Sequence, residues 1–406
     1  MLSTTVRSTK GMVLIVGALF FVAILVGLTF NHLDSWDVLV RPSSHISYKT
    51  RPQRVDDTSV PTPAPHFGSY ELPPNPEDDR LRKFFLEDMY KPVISPNEPI
   101  YRPHNAFEWR LPEAAHWQQR MGENLCIIDL DNRGFNDSGE IFGPDLMSWD
   151  SPAGVHGLSA GLLNHYVYAR IHGYKYYYVN IVDPGDRRAS WKKPTVISKI
   201  LKEHDVCIYL DSDAIFHNLD LPFEWLLNYW QLYPENNSMA LAIDPEAEFN
   251  KDKFGKLNVN TGFIISQNSP TTYKIMDDWS KCPDDNSRYP GCDQFRKNWP
   301  GQPTDQGGFG SYVRYSYPNH IRELPCDEAN GFPQTDTNCH GTFIRHLWTG
   351  KDDQIKIDVG QQMPGPFLKL FHHQFLKEKK LFYIDEADLL AKGPSKALKG
   401  NNMPLS

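Results

Sequence analysis

The sequence predicts an α/β fold: a Rossmann-like, mixed and mainly parallel sheet flanked by helices, behind an N-terminal transmembrane helix and a stem. Three observations predict it. From about residue 123, apolar runs of strand length alternate with segments of helical periodicity. Near the N-terminus, nineteen residues pass without a charge. Between these regions the chain is thick with proline.

The uncharged stretch is Met12–Phe30, MVLIVGALFFVAILVGLTF. At about 1.5 Å per residue it makes roughly 28 Å of helix, enough to cross a bilayer. Arg7 and Lys10 precede it, and Asp34 and Asp37 follow it. The positive flank belongs in the cytosol, which puts the bulk of the chain in the lumen. The following LTFNHLDSW offers no A-x-A-like cleavage site, so the stretch reads as a retained signal anchor and residues 1–11 as a cytosolic tail. Residues 31–115, with VPTPAP and ELPPNPEDD, read as an extended, poorly packed stem broken by a short helix at Arg80–Tyr90. Residues 116–406 are then the lumenal domain.

Within that domain NLCIIDL reads as a strand. LSAGLLNHYVYARIHGY has helical spacing, with Leu158, Leu162, Tyr166 and Ala169 on one side. YKYYYVNIV is a strand, and KPTVISKILKEH is a helix with proline in its first turn. VCIYL, FEWLLNYWQLY and MALAI continue the alternation. In such sheets ligands bind beyond the carboxyl ends of strands.

Composition narrows the function. The chain has 406 residues, a formal net charge of -8, 40% hydrophobic and 13% aromatic residues. That is globular, and it lacks the basic stripe of a nucleic-acid binder. Six cysteines suit an oxidising compartment. Cys126 and Cys207 lie inside strand-like runs and read as buried thiols. Cys282 and Cys292 flank one turn-rich loop, and Cys326 and Cys339 another, so two local disulfides are expected. Asn136 and Asn236 head N-x-S sequons, candidate glycan sites.

VCIYL runs straight into Asp211-Ser212-Asp213. Asp-x-Asp alone is weak, since about two are expected by chance in a chain of this length. A second, Asp129-Leu130-Asp131, opens DLDNRGFNDSGE, which nearly fits a calcium loop, but Arg133 stands where a ligand oxygen belongs. That segment reads instead as the loop after the first strand, with Asp129 in reach of a nucleotide base or ribose. Three later stretches raise Asp211 and Asp213 above chance. VNTGFIISQNS carries Asn260, with Gly262 at a tight approach. PTDQGGFGSYV puts Asp305 and Gln306 at a helix start. GTFIRHLWTGKDD ends an apolar run on His346, followed by Gly350 and Lys351. Taken singly, Asn-Thr-Gly suits a bulge, Asp305 an N-cap, His346 a core histidine and Lys351 a solvated surface.

In this order they suit the holding of a nucleotide diphosphate. Two carboxylates and an imidazole leave positions open on Mn²⁺ or Mg²⁺ for phosphate oxygens, and the nitrogen favours Mn²⁺. The cation would act as a Lewis acid for the leaving diphosphate. Gly350 lets the backbone close on the phosphates, and Lys351 adds a second positive charge. Glycoside hydrolysis would need carboxylates several ångströms apart across the sugar, which neighbours at i and i+2 cannot provide.

On these residues the chain resembles type II membrane glycosyltransferases of the GT-A fold. It is most similar to the fungal and plant family of α-galactosyltransferases, mannan-polymerase subunits and xyloglucan xylosyltransferases. The resemblance runs from about Leu158 to Lys351, through YARIHGYKYYYVN, SWKKPTVISKILKEHDVCIYLDSDAIFHNLD, NTGFIISQNS, TDQGGFGSYV and IRHLWTGK. It implies a Golgi membrane enzyme with a lumenal catalytic domain. The reaction implied is transfer of a hexose from a nucleotide-sugar donor to a glycan or glycoprotein hydroxyl, with retention. It implies metal ligation by Asp211, Asp213 and His346, donor contacts from Lys193 and Lys351, and sugar and acceptor contacts from Asn260, Asp305 and Gln306. Asp305 and Gln306 are the catalytic candidates. HLWTGK departs from the family's usual His-Phe-x-Gly, so Gly350 stands one place late.

UDP-galactose is the favoured donor. The alternatives are a GDP-mannose-dependent mannosyltransferase and a non-catalytic, transferase-like scaffold subunit of an oligomeric Golgi complex. The intact ligand set argues against the scaffold.

Overall fold

In the computed structural model, residues 75–90, 94–103, 107–297, 304–362 and 376–379 are described. The chain divides into two compact units, Met1–Pro73 and Pro74–Ser406, and every described residue belongs to the second. The expected anchor at Met12–Phe30 and the expected stem up to residue 74 lie outside the described residues. Among these, no helix is long and apolar enough to cross a membrane.

Besides a short antiparallel pair, Ile100–Tyr101 with Trp109–Arg110, the strands, in chain order, are β1 (Leu125–Asp131), β2 (Lys175–Asn180), β3 (Val206–Leu210), β4 (Ala214–Phe216), β5 (Met239–Ile243), β6 (Val259–Gln267), β7 (Ile321–Leu324) and β8 (Ile344–His346). Six of them form the central sheet in the order β2-β1-β3-β6-β5-β7. β6 is antiparallel to both its neighbours, and the other pairings are parallel. The sheet is therefore mixed and mainly parallel. β4 and β8 pair separately and antiparallel, with Ala214 opposite His346.

Helices cover both faces. They are α1 (Gly157–His172), α2 (Lys193–Ile200), α3 (Phe223–Tyr229), α4 (Pro270–Lys281), α5 (Thr304–Ser311) and α6 (Lys351–Gln362). The period of two in β3 divides its side chains between two cores. Val206, Ile208 and Leu210 join Tyr168 of α1 and Trp225 of α3. Cys207 and Tyr209 join Ile197 of α2, Trp279 of α4 and Phe309 of α5. Every residue of β3 is buried, which is why VCIYL carries no polar position.

Some expectations need correction. The face of α1 does not follow Leu158, Leu162, Tyr166 and Ala169: Tyr166 is exposed, while Asn164, His165 and Tyr168 are buried. The helix lies between the sheet and other elements, so its buried surface includes polar side chains that bond neighbouring backbone. The segment read as an extended stem to residue 115 is packed at Tyr101. Tyr101 is 2% exposed, its ring 5.7 Å from Trp225, whose Nε1 donates to Glu98 O at 2.7 Å. The stem helix begins earlier than expected, at Pro76, where the Asn75 side chain caps it.

Cys126 and Cys207 are not thiols but a disulfide. They are direct partners in the parallel β1–β3 register, on one face, with Cα atoms 4.6 Å apart. The expected Cys282–Cys292 and Cys326–Cys339 bonds are both present.

The Cys126–Cys207 bond closes a loop with a sequence separation of 81. The double change Cys126→Ala, Cys207→Ala is expected to cost about 2–4 kcal/mol of stability, read from the urea midpoint. An unchanged midpoint would show that strand pairing alone supplies the constraint.

Candidate metal centre and its two clefts

β3 is buried until Leu210, and the chain then turns through Asp211-Ser212-Asp213 and returns as β4. Asp211 N donates to Gly262 O at 2.7 Å, and Ala214 N to Asp211 O at 2.8 Å. Because β6 runs antiparallel, its beginning, Asn260-Thr261-Gly262, lies beside the end of β3. β8 brings His346 alongside β4, and Leu347 N donates to Asp213 O at 2.8 Å. His346 Nε2 stands 3.2 Å from Asp213 Oδ1. Gly262 is the tight approach: a Cβ there would overlap the His346 ring.

One ligand atom each of Asp211, Asp213 and His346 lies within 4.8 Å of the others. Among the described residues this is the one His, Cys, Asp or Glu group with metal-holding geometry. An imidazole nitrogen and two carboxylates fit a divalent cation that keeps positions for phosphate oxygens. Asn330 Oδ1 lies 3.1 Å from His346 Nδ1 and its Nδ2 donates to Ile243 O, so the amide fixes the ring and leaves Nε2 toward the carboxylates.

Charge is dense here. Burial alone would raise the Asp213 carboxyl, but His346 and Lys351 outweigh it and hold it well below the usual carboxylate range. Burial likewise pulls His346 down, yet Asp213 beside it raises the imidazole above its ordinary 6.5. Lys193 is buried and still held above its ordinary value by Asp211 and Asp305. Asp244, at the end of β5, is raised by its burial.

Two clefts meet at this point. The larger, about 1070 Å³, is lined by six cations, among them Arg133, Arg187, Lys193 and Lys351, and by five aspartates, Asp131, Asp183, Asp211, Asp213 and Asp305. The smaller, about 650 Å³, is lined by Asp244, Asn260, Gln306, His346 and the aromatic rings of Phe249, Phe332 and Trp348. Lys193, Asp211, Asp213 and Lys351 border both.

The other residues singled out from the sequence fall into three groups. Lys193, Asp305 and Gln306 form a buried strut behind the turn. Lys193 Nζ lies 3.0 Å from Asp211 Oδ1, 3.0 Å from Thr261 O and 3.5 Å from Asp305 Oδ2. Thr261 Oγ1 donates to Asp305 Oδ2 at 3.0 Å, and Thr261 N to Gln306 Oε1 at 3.2 Å. Lys351 is half exposed and pairs with Asp213. Gly350 adopts φ +66° and its carbonyl accepts from Asp353 N and Gln354 N, starting α6.

Asp129 is the exception. It is not in a loop and lines neither cleft: it sits inside β1, 1% exposed, between His165 Nδ1 at 2.7 Å and Tyr176 OH at 2.5 Å. The strand continues one residue further than NLCIIDL, to Asp131, which reaches the cleft instead. There it holds Arg133, which also donates to Ser212 Oγ at 2.9 Å.

Asp244 was not singled out. Its two carboxylate oxygens accept from Asn260 Nδ2 at 2.9 Å and Gln306 Nε2 at 2.7 Å, which fixes the direction of both amides. The signal was available: an aspartate directly after MALAI repeats the pattern of a carboxylate at a strand's carboxyl end.

Residues 153–302 match the model of the galactosyl transferase GMA12/MNN10 family. Over 132 residues the chain is 26% identical to a protein called "Probable glycosyltransferase 4" in Oryza sativa subsp. indica and to its namesake in subsp. japonica. These alignments cover 32% of this chain and 26% of each relative, so the chain matches about a quarter of their length. A solved glycosyltransferase involved in glycosylation of the major capsid of PBCV-1 aligns with 58% of this chain and 98% of its own, at 12% identity and a TM-score of 0.41. The family match supports a glycosyltransferase of GT-A type.

Two outcomes follow. Gly262→Ala drives a methyl into the His346 ring and is expected to weaken Mn²⁺ binding by about 10–100-fold; calorimetric titration at wild-type affinity would refute it. The second concerns pH. His346, raised above 6.5, contributes pairing that is complete below pH 6.5 and lost as pH rises through its folded value. Asp213, lowered from 3.8, contributes above pH 3.8 and loses this as pH falls through its folded value. The pair therefore stabilises most between these limits. A cation taken by Nε2 displaces the proton, so Mn²⁺ affinity rises with pH above 6.5, with proton release visible as a buffer-dependent binding enthalpy. A flat profile would remove His346 from the ligand set.

Proposed function

We propose, from the match of residues 153–302 to a galactosyl transferase family, that this chain is a divalent-metal-dependent glycosyltransferase. It moves a hexose, with galactose from UDP-galactose favoured, to a glycan or glycoprotein hydroxyl with retention of configuration. The observation that carries this reading is the meeting of Asp211, Asp213 and His346 where the two clefts join.

The larger cleft suits the nucleotide diphosphate, whose charge needs the cations on its walls. Lys351, half exposed at the start of α6, is free to trade the Asp213 carboxylate for a phosphate oxygen. The smaller cleft suits the sugar and the acceptor, because oriented amides and a carboxyl can bond hydroxyls and aromatic rings can pack a pyranose face. Asp211, Asp213 and His346 would hold Mn²⁺ or Mg²⁺, which when bound supplies Lewis-acid stabilisation of the leaving diphosphate.

Retention by double displacement needs a nucleophile at the anomeric carbon. Asp305 is a poor one: Lys193 and Thr261 occupy one oxygen and the residue is 1% exposed. We therefore favour a front-face reaction, in which the departing phosphate accepts the acceptor's hydroxyl proton. The uncharged Met12–Phe30 and the three disulfides support a single-pass type II protein with its catalytic domain in the Golgi lumen.

The test is hydrolysis of UDP- and GDP-sugars by the full-length chain with Mn²⁺. UDP-galactose is expected to be turned over fastest, and Asp213→Ala to abolish Mn²⁺-dependent nucleotide binding with an unchanged circular dichroism spectrum. Turnover of GDP-mannose alone would replace the donor. No turnover together with no Mn²⁺-dependent nucleotide binding would leave a scaffold.

A further inference from the structure

Four residues of α1 form one stripe: Gly157, Gly161, Asn164 and His165, at i, i+4, i+7 and i+8. Each meets the backbone of the candidate metal centre. A Cβ on Gly157 would overlap Lys351 O, and one on Gly161 would overlap Ser212 O. Asn164 Oδ1 accepts from Phe216 N at 2.8 Å, and its Nδ2 donates to Phe216 O at 3.1 Å. His165 Nε2 donates to Ala214 O at 2.6 Å. The helix thus does for β4 what a neighbouring strand would do, with glycines for close approach and side chains for the ladder bonds.

His165 is the central member. It is fully buried, and its other nitrogen, Nδ1, donates to Asp129 Oδ1 at 2.7 Å. Asp129 is itself fixed by the hydroxyl of Tyr176. Both ring nitrogens face oxygen acceptors, so neither the position nor the rotation of the imidazole is free. The peptide link after Asp213 therefore ends on a rigid donor. Asp213 O is held by Leu347 N, and Ala214 N by Asp211 O. With Ala214 O fixed by His165, the peptide groups on the carboxyl side of Asp213 are held at three points.

We propose that His165, anchored by Asp129, is a positioning residue for a divalent cation: it fixes the Ala214 carbonyl and through it the Asp213 carboxylate. The pair touches neither the cation nor a substrate. It acts as the outer support that metal ligands need to stay within about 0.5 Å of their working geometry. The proposal rests on the metal-centre reading above.

The experiment is Mn²⁺ titration of the full-length chain, followed by electron paramagnetic resonance of free and bound Mn²⁺. The variant Asp129→Asn, His165→Leu removes both charges together, which the interior tolerates better than one orphaned carboxylate. It is expected to raise the Mn²⁺ dissociation constant by about 10–100-fold and to change the bound-ion spectrum. His165→Gln keeps a donor for Ala214 and is expected to recover most of the affinity. Tyr168→Phe, on the same helix, loses a buried bond to Leu221 O and is expected to lower stability without moving Mn²⁺ affinity. Wild-type affinity in the double variant, or an equal loss in Tyr168→Phe, would overturn the proposal and leave the metal centre standing. Should the double variant not fold, Asp129→Ala alone removes the anchor of His165, and unchanged affinity there overturns the proposal. A wild-type chain that binds no Mn²⁺ removes the metal centre and the proposal together.

Discussion

The structure turns on the crowding of negative charge at the end of β3. Asp211, Asp213, Asp244 and Asp305 all line the clefts that meet there, and the last three are buried. Carboxylates taken from water lose several kcal/mol of hydration each and repel one another, so such a cluster exists only with compensating charge and hydrogen bonds. Each compensating group comes from a different part of the chain. Lys193 arrives from α2, His346 from β8 and Lys351 from α6. Asp244 is handled otherwise: burial favours its neutral form, and two side-chain amides satisfy its oxygens. The architecture is arranged so that these remote segments end within reach of one turn.

Topology makes that possible. With β6 inserted antiparallel between β3 and β5, a strand's beginning lies where parallel neighbours place their ends. Asn260, Thr261 and Gly262 can then contact the aspartate turn while Ile264 and Ile265 still fill the two cores. Thr261 links the turn region to α5 through its hydroxyl and its N–H. The small β4–β8 pair performs the same service on the other side. A register shift of one residue between β4 and β8 would point His346 away from Asp213, because alternate strand residues face opposite sides. The α1 stripe and the β8 pairing hold that register from two directions.

Much of this was legible because its signals are local or ordered along the chain. VCIYL, MALAI and VNTGFIISQ are strands because their apolar content and length admit little else, and the structure keeps them almost to the residue. His346 was found by its place at the end of an apolar run after a carboxylate pair. The losses share one cause: they depend on which residues of separate elements lie opposite one another. Cys126 and Cys207 looked like unrelated core thiols until the β1–β3 register set them side by side. Asp129 looked like a cleft residue because nothing local announces that a histidine one helix away will bury it. Asp244 shared the strand-end position of Asp211 and was passed over because it stands alone, without a second acid two residues on. The mixed face of α1 escaped for a related reason, since helical periodicity locates apolar side chains and not polar ones that bond a neighbour's backbone.

The division of labour between the clefts bears on specificity. On the proposed function the cations of the larger cleft would hold the diphosphate with little regard for the sugar attached to it, and so would set donor class and affinity. Choice among hexoses must come from groups that bond individual hydroxyls, where a matched hydroxyl and a mismatched one differ by about 1–3 kcal/mol when the unpaired partner is buried. Asp244, Asn260 and Gln306 have that character, each buried and each oriented by another. Trp348 adds shape. It packs edge-on to His346 at 5.6 Å and to Phe332 at 5.3 Å, so its ring forms part of the smaller cleft's wall beside His346. Trp348 and Gly350 both belong to HLWTGK, the stretch that departs from the pattern of the family this chain resembles. A change at Trp348 alters the wall of the smaller cleft, and one at Gly350 the start of α6. On the proposed function, that stretch is where this chain tunes which sugar it transfers.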